Sequence, residues 1–236
     1  MRGAVIVLLA AVIAGPAGAA GFSSVRVEGH GTRVVCHGAV TRILDASGKF
    51  DEAVLSPDKH TVAFTRWQPS KDVPGPHGGD DGEAGALWIG DCRTGKAHES
   101  LPAEVRPDAK GNGWISLDGP VFALDGRTVY VTAIYGGDGG LVQRVDVASG
   151  HYGLAFPGEF MGIIASGPYA GDMLATQHTS VEDGHGGAYA IYPIYVLRPD
   201  GKEVLRIHGS EKWSEADTKR WLRKRGWRVG WPGQVS

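Results

Sequence analysis

Carboxylates and histidines gather in three glycine-rich stretches of this chain. Asp72, His77, Asp80, Asp81 and Glu83 lie within residues 69–85, Asp138 lies within 135–140, and Glu182, Asp183 and His185 lie within 178–187. Carboxylate oxygens suit hard divalent cations, and imidazole extends the range to borderline metals. Asp81, Asp138, Asp183 and His185 are therefore candidate ligands of a divalent cation, the one cofactor the residues suggest. The wider set of His77, Asp80, Asp81, Glu83, Asp138, Glu182, Asp183 and His185 is a candidate surface for a polar ligand. The competing reading is that acids in long glycine-rich loops are simply solvated. Residues 80–83 are not part of an EF-hand, whose twelve-residue ligand spacing is absent.

Motifs for covalent or phosphate chemistry are missing. There is no Gly-x-Ser-x-Gly elbow, no His-Glu-x-x-His, no phosphate-binding Gly-x-x-x-x-Gly-Lys-Ser/Thr and no Cys-x-x-Cys. Ser166 precedes Gly167 without the flanking pattern a nucleophile needs. His60 and His151 fall in predicted tight turns, and His30, His37, His98 and His208 have no carboxylate at a telling spacing. The sequence leans toward a binding or scaffolding protein. The alternative is an extracytoplasmic hydrolase or lyase on a polar substrate, with a metal-assisted site on the acidic loops.

A second chemistry-bearing region is the C-terminal stretch 210–236. Ser214 and Asp217 have the spacing of a capping box, Gly226 suits the end of a helix, and the spacing predicts a helix over 215–225. Arg220, Trp221, Arg223, Lys224 and Trp227 are candidate partner-binding residues, because Arg and Trp are favoured at protein contacts. The simpler reading is that Trp213, Trp221 and Leu222 dock on the domain while the cations stay in water. A protein partner or an anionic envelope surface fits these residues. Nucleic acid does not, since the 24 Lys and Arg against 26 Asp and Glu leave the chain at −2.

Internal repeats identify the elements that must position these groups. Gly-containing turns recur at Gly48, Gly95, Gly150 and Gly201, each after an apolar or β-branched run, as hairpins require. Upstream of the first three lies a second tight turn followed by an alternating run, at 28–36, 56–66 and 124–132; the fourth copy, near 167–177, is degenerate. Strand, tight turn, strand, loop, strand, Gly turn, strand is the order of a four-stranded antiparallel blade. The loops between second and third strands all fall on one rim, and they are the three acidic stretches.

The stretch 53–96, AVLSPDKHTVAFTR followed by GALWIGDCRTGK, resembles the repeat of TolB-like β-propellers. Their blades carry a Ser-Pro-Asp-Gly turn, an apolar strand ending in Phe, a Leu-Trp or Ile-Tyr pair and a Thr-Gly-Lys turn. Here these are Ser56 to Lys59, Phe64, Leu87-Trp88 and Thr94-Gly95-Lys96, with Lys59 in place of the usual Gly. The match is partial over 121–156 and weak over 25–49 and 161–208. The resemblance implies blade architecture; with the repeat lengths and the C-terminal capping box, the expectation is an all-β protein, a small or incomplete propeller of about four antiparallel four-stranded blades with a short C-terminal helix and without the TolB N-terminal domain. A propeller that stays open could pair with a second copy.

Residues 1–20 read as a signal peptide: Arg2, an apolar run over 4–15 and small residues at 17–20. The domain division expected is 1–20 signal, 21–209 repeat domain and 210–236 basic aromatic tail, in a periplasmic or secreted protein with no further membrane span. With 37 glycines in 236 residues the chain turns too often for a helical bundle, while a 42% hydrophobic share excludes disorder. Cys36 and Cys92 are an even pair in an oxidising compartment, for which a disulfide is the default. The strand register of the repeats predicts otherwise. Cys36 would end a second strand and Cys92 a third, on opposite rims about 17 Å apart, beyond the roughly 7 Å a disulfide tolerates.

Overall fold

The structure, a computed structural model, describes residues 21–44, 47–71, 82–105, 114–135 and 139–231. Short alternating runs between turn residues form hairpins, and hairpins in series form sheets. β1 (Ser24–Glu28), β2 (Arg33–His37) and β3 (Arg42–Ile43) make the first, a three-stranded sheet. β4 (Lys49–Leu55), β5 (Thr61–Ser70), β6 (Gly82–Asp91) and β7 (Lys96–Leu101) make the second, and β8 (Ser116–Phe122), β9 (Thr128–Tyr135), β10 (Gly139–Asp146) and β11 (Tyr152–Pro157) the third. The fourth begins with β12 (Glu159–Ile164) and β13 (Met173–Thr176). It is interrupted by a separate hairpin, β14 (Thr179–Glu182) and β15 (Ala188–Ile191), and resumes with β16 (Ile194–Leu197) and β17 (Glu203–Ile207). Helix α1 (Glu215–Lys224) follows, and β18 (Val229–Gly230) adds itself to the free side of β12. Among the described residues the protein is an all-β incomplete propeller with one short helix, as the repeats and the capping box predict.

The repeated turns behave as their residues require. In the second sheet Asp58 accepts the His60 N–H at 2.9 Å, and Lys59 sits at φ +64°, the left-handed position at which the TolB-like repeat places Gly. Gly95, Gly150 and Gly201 join the third and fourth strands of the second, third and fourth sheets.

Four apolar layers run through the molecule in order. Phe22, Val25, Val34, Phe50 and Phe64 fill the layer between the first two sheets, and Leu87, Leu101, Trp114 and Leu117 the layer between the second and third. Tyr130, Phe160, Met173 and Leu197 belong to the layer between the third and fourth. Ser116 Oγ accepts the Gly85 N–H at 2.8 Å across one of these boundaries, and a Cβ at Gly85 would lie 2.2 Å from the Leu117 carbonyl. Only glycine lets β6 and β8 approach so closely.

The fourth layer has no further sheet to pack against. Ile164, Leu174, Ile194, Val196 and Ile207 are instead covered by Leu222, with Trp213, Trp221, Trp227, Val229 and Trp231 around them. Full burial of an aliphatic side chain contributes about 1.5–3 kcal/mol, so leaving five in water would forfeit roughly 8–15 kcal/mol, as much as a whole domain's stability. The tail is therefore a structural cap. Ser214 caps α1 with the reciprocal Asp217 contact, as the sequence predicts. β18 can pair with β12 because Gly162 has no side chain: a Cβ there would lie 2.3 Å from the Gly230 carbonyl.

The first sheet departs from expectation. The Phe22 N–H donates to the Lys59 carbonyl at 3.0 Å, and the Phe50 N–H donates to the Gly31 carbonyl at 2.7 Å. The beginning of β1 thus lies beside the end of β4, and the end of β1 beside its beginning, so the two run antiparallel. Opening strands of neighbouring blades run parallel. The turns that follow β4 and β8 share a rim, where a Cβ on Gly126 would lie 3.5 Å from Pro57 Cδ. β1, β2 and β3 therefore hold the second, third and fourth strand positions, and among the described residues no strand fills the innermost one. The turn at 29–32 joins a second strand to a third, and Gly48 lies in the link to β4 instead of closing a hairpin.

This one-position shift corrects the expectation for the cysteines. Cys36, near the end of β2, and Cys92, just beyond β6, both mark the ends of third strands and share a rim. Their Cα atoms are 5.8 Å apart, the sulfurs are bonded, and both residues are fully buried between the first two sheets. The bond closes a loop with a sequence separation of 56, for which chain entropy gives about 4 kcal/mol. Replacing both cysteines with Ser is expected to lower the melting temperature by at least 10 °C under oxidising conditions, and reductant should produce a similar loss in the unmodified chain; calorimetry checks both.

Candidate functional site

Of the acidic-loop residues, His77, Asp80, Asp81 and Asp138 lie outside the described residues, as does Asp72. Glu83 begins β6 and pairs with Lys49, which holds it against the start of β4. The stretch 178–187 is not an open loop but most of the β14–β15 hairpin, in register from Thr179 opposite Ile191 to Glu182 opposite Ala188. At its tip Asp183 Oδ1 accepts the N–H groups of His185 at 2.7 Å and Gly187 at 3.0 Å. That carboxylate is engaged in shaping the turn. Glu182 and His185 are exposed beside it. Among the described residues no group of three His, Cys, Asp or Glu stands close enough to hold a metal ion. His37, without a sequence neighbour to suggest a partner, meets Glu28 at 2.8 Å across the β1–β2 hairpin.

A different set of carboxylates sits on the inner strands. β4 and β8 each carry a bulge at the same place, after Asp51 and after Asp118. The bulge puts Glu52 at φ +49° and Gly119 at φ +62°. Burial, then the charges of Asp118 and Asp51, push the Glu52 carboxyl up to about 7, with a Gly119 N–H acting against them. Burial also raises Asp118, with Asp51 adding to it. Glu52 Oε2 is buried without a hydrogen-bond partner. Single-copy reading of the sequence passes over these groups, because they are strand residues. The signal was the recurrence of Asp at one register position, opposite Thr65 in one sheet and Thr132 in the next.

The C-terminal cap forms a concavity. Between α1 and β18 lies a cleft of about 600 Å³ lined by Lys219, Arg220, Leu222, Arg223, Trp227, Arg228 and Trp231, with Ala216 and Val229. Lys219 is tied to Glu215 and lies 4.8 Å from the Trp231 ring centre; Arg220 meets Asp217 at 3.2 Å. Arg223 and Arg228 have no carboxylate partner among the described residues. Behind the cleft the rings form a continuous ladder, Trp213 to Trp221 at 5.9 Å, Trp221 to Trp227 at 5.4 Å and Trp227 to Tyr169 at 5.0 Å. Of the residues singled out from sequence, Arg220, Arg223 and Trp227 line the cleft. Trp221 faces a neighbouring hollow, stacked under Arg225, and Lys224 is exposed away from the cleft lining.

No family model matches this chain, and no curated protein resembles it in sequence. Solved structures do resemble it in fold. The β-propeller domain of the Trilobed protease from Pyrococcus furiosus is 17% identical over 80% of this chain and 57% of its own, with a TM-score of 0.44. Porphyromonas gingivalis dipeptidyl peptidase 4 is 11% identical over 78% of this chain and 32% of its own, at 0.46. TolB from Acinetobacter baumannii is 12% identical over 77% of this chain and 50% of its own, at 0.29. The chain thus spans little more than half of the first of these and a third of the second. At such identities the likeness is one of propeller-type fold.

The raised Glu52 carboxyl makes stability depend on pH. Its value rises on folding from 4.5 to about 7, so its contribution is full below pH 4.5 and is lost as pH rises through 7. Glu52→Gln removes that loss. Since Glu52 is only half-buried, solvent screening leaves on the order of 1 kcal/mol. The variant should match the unmodified chain in melting temperature near pH 4 and exceed it by a few degrees at pH 8; equal melting at both would contradict the assignment.

Proposed function

We propose that this chain is an exported binding or scaffolding module that holds an acidic protein partner on the basic aromatic face of its C-terminal cap. The leader-like residues 1–20 and a buried disulfide, a bond of oxidising compartments, support export. Among the described residues no helix is long and apolar enough to cross a membrane. The observation that carries the reading is the division of labour in α1. Thr218 and Leu222 face inward, while Arg220, Arg223, Lys224 and Arg225 remain exposed. Residues 210–236 hold seven Lys and Arg against three carboxylates, so this segment is at +4 and the remainder of the chain at −6. Packing required the indoles but not Arg220, Arg223 or Lys224. Clustered guanidinium groups beside Trp are the side chains that recur as energetic anchors at protein contacts.

A second reading, an extracytoplasmic hydrolase or lyase on a polar substrate, has one observation behind its acid–base chemistry. Glu52, held near neutrality beside Asp118, has the protonation range of a general acid or base. In the metal-assisted form of that reading, calcium or zinc held by the acidic loops should raise the melting temperature relative to EDTA; no shift with either metal sinks that form.

The principal reading is tested with a fluorescein-labelled hexaglutamate peptide followed by anisotropy. Binding should fall steeply with salt and weaken at least tenfold in the Arg223→Glu, Lys224→Glu variant. Absence of binding at low salt, or binding indifferent to those substitutions, would overturn it.

A further inference from the structure

The cleft between α1 and β18 is more specific than a charged face, and we infer that it receives a carboxylate side chain of an extended acidic peptide, clamped by Arg223 and Arg228, with an adjacent apolar or aromatic side chain lying on Trp227 and Trp231. This rests on the reading of the cap as an acidic-partner face and narrows it to one site. The volume of about 600 Å³ falls within the roughly 300–1,000 Å³ of sites that enclose a small ligand or a few side chains. A merely electrostatic surface needs no such hollow.

The lining divides by whether its charges are already satisfied. Lys219 and Arg220 are neutralised within the helix by Glu215 and Asp217. Arg223 and Arg228 are exposed, unpaired among the described residues, and enter the same cleft from α1 and from the segment leading into β18. Guanidinium groups bind carboxylates in a planar, two-bond geometry that ammonium groups do not offer. The backbone of Arg228 is fixed, its N–H donating to Ser166 Oγ at 2.9 Å and its carbonyl accepting the Ala165 N–H at 2.7 Å. The side chain is thus presented from a held backbone, and less freedom remains to be lost on binding.

The indoles favour a protruding peptide over a lipid surface. Trp227 and Trp231 are partly buried and packed against the apolar layer beneath, and Trp227 is held between Trp221 and Tyr169. A membrane contact needs aromatic rings that project and insert; rings recessed in a concave wall instead offer a surface to something that enters.

The test compares three labelled probes on the full chain: Glu-Glu-Phe-Glu-Glu, the same peptide with Ala for Phe, and vesicles of phosphatidylglycerol. The Phe peptide should bind several-fold more tightly than the Ala peptide. Arg228→Gln, which leaves the backbone ties in place, should weaken the Phe peptide about tenfold, and Trp231→Ala should erase the preference for Phe, with unchanged melting temperature as the control for folding. If both peptides bind equally and Arg228→Gln changes neither, the cleft proposal falls while the acidic-partner reading stands. If only the vesicles bind, and the peptides do not, both fall.

Discussion

An antiparallel sheet packed on one side needs a neighbour, and a linear series of such sheets runs out of neighbours at its ends. That constraint governs this molecule. Each of the three inner boundaries is an apolar layer between two sheets, and the last sheet presents a fourth apolar layer that no sheet covers. A closed propeller meets the requirement by returning to its first blade. Here α1, the indole ladder and the two-residue β18 do so within one short segment. With its apolar side chains turned to the layer below, that segment shows chiefly cations to solvent, and the basic cleft is a consequence of the way the array is finished.

The other end is finished differently. The first sheet has three short strands shifted by one position, with no described strand at the innermost place, and it packs Phe22, Val25 and Val34 in one layer against Phe50 and Phe64 of β4 and β5. The Cys36–Cys92 bond runs through that layer. A covalent link adds to the docking of a three-stranded sheet, since its stabilisation comes from constraining the unfolded chain as much as from contacts. Covalent attachment at one end and an aromatic cap at the other bracket the two regular four-stranded sheets, whose bulged inner strands bring Asp51, Glu52 and Asp118 together.

Much of this was legible in the residues. The Ser-Pro-Asp-Lys turn, the Gly turns at 95, 150 and 201 and the Ser214–Asp217 capping box all act through local backbone chemistry, and local chemistry can be read from a few adjacent side chains. The strand phase of the first sheet could not. The turns at 29–32 and 56–59 look alike in sequence, but the first joins second and third strands and the second joins first and second; which applies is decided by the direction of β1 against β4, a long-range fact. The disulfide expectation failed with that phase. The hairpin at 178–187 was hidden because its glycines and acids cluster at the tip while its strands are exposed and weakly apolar. Glu52 was missed because its environment is built by Asp118 from another sheet. The cations of the cap were plain in composition, but that Arg223 and Arg228 are unpaired while Lys219 and Arg220 are not required the helix register and the return of β18.

The C-terminal segment takes the place of a further sheet. Hydrogen–deuterium exchange on the full chain and on a chain ending at Ser210 measures it directly. The account predicts that truncation strips protection from β12, β13, β16 and β17 while the amides of β5, β6, β9 and β10 keep theirs. Unchanged protection in the fourth sheet would contradict it, because the apolar face over Ile164, Leu174 and Val196 would then be stable without its cover.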